Sequence, residues 1–114
     1  MSGKNSDLEK VADALGDLVD SLRAAREKEN DPDKVKAINN ELIEANHRIT
    51  MVGAVLFHER TAAISAAAGK VESAKAEVEA EIAKLDKLNK FIETVSGFLG
   101  LIDKVIDLAK AVVV

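Results

Sequence analysis

Cysteine, tryptophan and tyrosine are absent from the chain, and proline occurs once in 114 residues. Without cysteine there is no disulfide, no thiolate nucleophile and no sulfur ligand for a metal, a composition that fits a reducing compartment. The only aromatic side chains are Phe57, Phe91 and Phe98, too few to serve as stacking platforms for bases. No basic stripe exists either. The net charge of −4 is spread along the chain with both signs alternating, so nothing neutralises a row of phosphates and no nucleic-acid partner is expected. A glycine-rich phosphate loop is missing, because Gly97 and Gly100 are not followed by Lys and Ser or Thr. No nucleophile or second acid stands at a triad-like spacing from His58. The chain is therefore expected to be no enzyme and to hold no cofactor. Its polar opening, Met1 to Asn5, has no apolar run behind it, so a secretory signal is not expected and the cytoplasm is the expected location.

What is present is the composition of long helices, dominated by Ala, Leu, Glu, Lys, Val and Ile. Ser6 followed by Glu9 has the spacing of a capping box. Behind it Leu8, Val11, Leu15, Leu18, Leu22 and Ala25 recur at alternating steps of three and four, one stripe of a helix over 7–29. Asn30-Asp31-Pro32 ends that helix and starts the next, since proline lacks a backbone donor and sits well at a first helical position behind an Asp cap. So short a connection implies an antiparallel hairpin. The second arm carries Val35, Ile38, Leu42, Ala45, Ile49, Val52 and Leu56, and its helix is expected over 32–68, with a possible continuation to about 95.

From Ile64 an apolar residue recurs every seven, through Val71, Val78, Leu85, Ile92, Leu99 and Ile106 to Val113. The step of eight from Leu56 to Ile64 puts this series one residue out of phase with the one before, and Gly53 and Gly69 bracket the mismatch. Ser96-Gly97 with Gly100 offers a second turn, ahead of a C-terminal amphipathic helix at about 98–113. The expected fold is all-α: an antiparallel hairpin extended into a three- or four-helix bundle or coiled coil, one domain over 1–114, and oligomeric.

Two polar groups invite a chemical reading. Glu44 and His47 have the Glu-x-x-His spacing of di-iron bundle ligands, but in the frame of Leu42 and Ala45 both point away from the seam, so no metal site is expected and a bundle metalloprotein is the minor alternative. His58-Glu59-Arg60 interrupts the apolar middle, and a charged cluster at a bend is favoured over an acid–base role. The segment from Val95 onward is apolar on most of its circumference, leaving a narrow strip that holds Asp103, Lys104, Asp107 and Lys110. Four charges in hydrocarbon disfavour a membrane span. Phe91, Phe98, Leu99, Leu101, Ile102, Val105, Ile106 and Val113 are the candidate interaction residues, with a protein partner or another copy as the occupant. The expected function is a non-catalytic interaction or assembly module, such as an accessory, regulatory or inhibitory subunit. Membrane contact or pore formation by the Ala-rich middle and the last helix is the alternative.

Overall fold

The computed structural model describes residues 5–111 as four helices, α1 (Ser6–Lys28), α2 (Pro32–Val55), α3 (Ala62–Lys84) and α4 (Leu88–Ala111), with no strand among them. The cap of α1 is Asn5 rather than Ser6. Its side-chain oxygen accepts from the backbone N–H groups of Asp7 at 2.9 Å and Leu8 at 3.2 Å, which satisfies two donors that a helix start leaves free. The α1–α2 turn follows the sequence closely: Asp31 caps α2 by accepting from Asp33 N–H at 2.9 Å, and Pro32 occupies the first turn. Its neighbour Glu29 accepts from the N–H groups of Asn30 and Asp31, so the turn's own donors are also satisfied.

The helix expected over 32–68 is two helices. The chain leaves α2 after Val55 and re-enters helix at Ala62, with Thr61 as the cap and its hydroxyl accepting from Ile64 N–H at 3.1 Å. The one-residue phase mismatch between Leu56 and Ile64 is thus absorbed by a non-helical segment, while Gly53 and Gly69 both stay helical. A second break, at 85–87, falls where neither glycine nor proline stands. Leu85 closes α3 in the left-handed conformation, φ 37°, the only non-glycine residue with positive φ among those described. That geometry costs roughly 1–2 kcal/mol for an L-residue. Burying the Leu85 side chain, which is 7% exposed, contributes about 1.5–3 kcal/mol and outweighs it. The turn expected at Ser96-Gly97 is absent: α4 begins ten residues earlier than the expected 98 and runs through both glycines.

Packing follows from these stripes. α1 lies against α2 and α3, and α4 lies against α2 and α3, so α2 and α3 occupy opposite corners of the bundle. The segment 56–61 crosses the diagonal between them. Six extended residues reach about 20 Å, enough for the diagonal of four helices spaced 8–10 Å apart. α1 and α3 consequently run parallel and in register, as the Asp7–Ser65 and Asp17–Lys75 contacts, both 58 residues apart, require. One core runs through all four helices, with Leu8, Leu15, Leu22, Ile38, Ile64 and Ile102 among its fully enclosed side chains. The seven-residue series holds through Val71, Val78 and Leu85. Beyond the break Ile92 falls out of it, 40% exposed beside a buried Phe91, and the series returns to the core at Leu99 and Ile106.

Candidate interaction surface

Of the residues expected to meet a partner, Phe91, Phe98, Leu99, Ile102, Val105 and Ile106 are interior. The breadth of the α4 apolar face is accounted for within one chain, because α4 is covered by α2 on one side and α3 on the other. This corrects the assignment of these six residues to a partner interface: they belong to the core of the chain itself. Leu101 alone stays half-buried at the surface, and Val113 lies outside the described residues. The remaining large exposed apolar residues, Ile43, Phe57 and Ile92, sit one each on α2, on the 56–61 segment and on α4.

The polar groups singled out in the sequence separate into structural contacts. Glu44 and His47 are both exposed on α2, and Glu44 is taken by Arg48, whose Nη1 donates to its carboxylate at 2.8 Å. Arg48 also donates to Asp103 of α4 through Nε at 2.8 Å and Nη2 at 3.0 Å, a two-pronged clasp across the α2–α4 interface. The Asp103 bonds, aided by Glu44 and opposed by partial burial, raise the guanidinium pKa further above its ordinary value. Among the described residues no group of three or more His, Asp or Glu is close enough to hold a metal ion.

The His58-Glu59-Arg60 cluster is a clamp at one end of the bundle. Arg60 Nε donates to Asp7 at 3.2 Å, Ser65 Oγ donates to the same carboxylate oxygen at 2.8 Å, and Asn5 ties the segment down by donating to the carbonyls of Leu56 at 2.8 Å and His58 at 3.0 Å. Burial pushes the Asp7 pKa up, but the bonds from Ser65 and Arg60 and the charges of Arg60 and Lys10 outweigh it and leave it below the ordinary value. Glu59 is exposed and needs no partner. Asp7 was not singled out in the sequence; its spacing from Arg60 and Ser65 gives no local signal.

What remains open to a partner is the outer face of the α3–α4 hairpin. One stretch of its groove is lined by Ala63, Ala66, Lys70, Leu101, Lys104 and Leu108, the next by Ala74, Glu77, Glu93, Thr94, Gly97 and Leu101. The side of α3 turned away from the core carries Ala62, Ala66, Gly69, Ser73, Ala76, Ala80 and Ala83, all exposed and spaced four and three along the whole helix. That spacing was legible in the sequence as a second stripe, hidden by the low contrast between Ala and its neighbours. Gly97 and Gly100 share the outer side of α4. A Cβ at either would meet nothing within 4 Å, so packing inside the chain does not require glycine there, although each costs about 1 kcal/mol relative to Ala.

Fold and surface together define a four-helix bundle of two stacked hairpins with a shallow, small-residue face on the second. No protein-family model matches the chain, and no curated protein or solved structure matches it. No described helix is long and apolar enough to cross a membrane.

Proposed function

We propose that the chain is a non-catalytic protein-interaction or assembly module, an accessory, regulatory or inhibitory subunit acting in the cytoplasm through the outer face of its α3–α4 hairpin. The observation that carries this reading is Leu101. It is half-buried in the wall of a groove whose other side is Ala63, Ala66 and Ala74, side chains short enough to let another helix approach closely. The groove is open and shallow, the shape of a surface for a helix rather than of a pocket for a small substrate. The mixed charges flanking it suit a protein partner better than phosphates.

A photo-crosslinking side chain at Ala66, in the groove, tests the reading against one at Ala24, on the exposed side of α1. Discrete protein adducts from position 66 and none from position 24 are expected in cells. Adducts equally frequent at both positions, or absent at both, would contradict it.

A further inference from the structure

The charges on the outer side of α4 read the same in both directions once sign is exchanged. Lys90, Glu93, Gly97, Gly100, Lys104 and Asp107 are all exposed and follow one another at steps of three and four, one stripe of the helix. Reversed end for end about a point between Phe98 and Leu99, this stripe sets Lys90 against Asp107, Glu93 against Lys104 and Gly97 against Gly100. α3 repeats the arrangement. Lys70 and Glu77, two turns apart on the side lining the groove, exchange places about a point between Ser73 and Ala74.

The two midpoints lie at one height. Lys84, where α3 ends, is as far from the first as Leu88, where α4 begins, is from the second. A single twofold axis across the hairpin therefore serves both helices. Within one chain the same charges are badly placed: Lys70 and Lys104 share one stretch of the groove, Glu77 and Glu93 the next, and none of the four takes part in an ion pair among the described residues.

We propose that the occupant of this face is a second copy of the chain, laid on antiparallel so that α3 meets α3 and α4 meets α4. The inference rests on the α3–α4 face being the interaction surface and names its partner. Such an interface is isologous, each contact occurring twice, so one complementary pair counts double. Lys70 of each copy meets Glu77 of the other, Glu93 meets Lys104, and Lys90 meets Asp107. Gly97 and Gly100 fall at the crossing, where two helices come closest and a side chain would hold them apart, which gives these two glycines the reason that packing inside the chain does not. Leu101 arrives opposite Ser96 of the second copy, next to the gap that Gly97 leaves.

Sedimentation equilibrium of the full chain at graded concentrations tests this, with circular dichroism checking that each variant folds. The wild type is expected to dimerise. Lys104→Glu and Glu93→Lys, each facing like charge on like charge at two symmetric places, should each weaken the dimer about tenfold or more. The double variant, with the pair exchanged, should dimerise nearly as well as the wild type. Gly100→Leu should keep the fold and weaken the dimer. A wild type that stays monomeric throughout, or a dimer indifferent to both single reversals, would overturn the proposal. A monomer whose position 66 still crosslinks to another protein would overturn self-pairing alone and leave the interaction reading standing. No adduct from position 66 together with a monomer would remove both.

Discussion

Protonating Asp7 removes the negative charge that strengthens its hydrogen bonds from Arg60, in the 56–61 segment, and from Ser65, at the start of α3. Its pKa is depressed in the fold, so the stabilisation is fully present above the unfolded value near 3.8 and is lost as pH falls through the lower folded one. Asp7→Asn should therefore destabilise the bundle by about 1.5–3 kcal/mol at pH 7, the range for hydrogen bonds to a charged group. The deficit should shrink when urea unfolding is repeated below pH 3.8, and a constant deficit would mean that the charge is not what counts. Glu41 carries the opposite sign. It is buried on α2, one carboxylate oxygen has no partner, and burial, reinforced by Glu44 and opposed by Arg48, raises its pKa. A raised carboxylate costs stability at neutral pH and returns it as pH falls toward the ordinary value of 4.5. Glu41→Met should thus stabilise by about 1–3 kcal/mol at pH 7, with the gain fading on acidification. A loss of stability at pH 7 would show that Glu41 has a compensating contact. Neither carboxylate stands out in the sequence, because the consequence of each depends on what a distant helix brings beside it.

At the scale of elements, the chain announces its helices better than its breaks. The turn at Asp31-Pro32 is legible because cap and proline act through local backbone chemistry. The break at 56–61 leaves only a phase slip in the apolar pattern, and its real boundary marker, Thr61, is one polar residue among several. The break at 85–87 leaves no local trace at all, because Leu85 adopts its left-handed geometry for the sake of tertiary burial. The start of α4 carries the mark of that compromise. Its first helical hydrogen bond runs from Phe91 N–H to the carbonyl of Lys87, at 3.0 Å, which puts a lysine at the cap position with no acceptor side chain and with its charge at the positive end of the helix dipole. Lys87→Asp should raise stability by about 1 kcal/mol, read as a higher urea midpoint with an unchanged slope. A midpoint that stays or falls would mean that the first turn of α4 is capped in another way.

For the whole molecule, the all-α class and the first hairpin follow from composition, periodicity and the Asp31-Pro32 turn, whereas the arrangement of the helices does not. The width of the α4 apolar face was legible, but one helix seen by itself cannot reveal whether two neighbours in the same chain or a second chain covers it. Once Phe91, Phe98 and Ile102 are interior, the surface left over is the one that composition makes quietest, a row of Ala, Gly and Ser on α3 beside a charge pattern on α4 that reverses into its own complement. The absence of cysteine makes this arrangement open to direct measurement, since a single introduced thiol is the only one in the chain. In antiparallel pairing Ser73 lies almost on the twofold axis, beside Ser73 of the other copy, while Ala83 is separated from its own mate by about 28 Å of helix length. Oxidation of the Ser73→Cys chain should give a disulfide-linked dimer rapidly, and oxidation of the Ala83→Cys chain should give little. Equal crosslinking at both positions, or none at Ser73→Cys, would contradict the pairing of this face with a second copy.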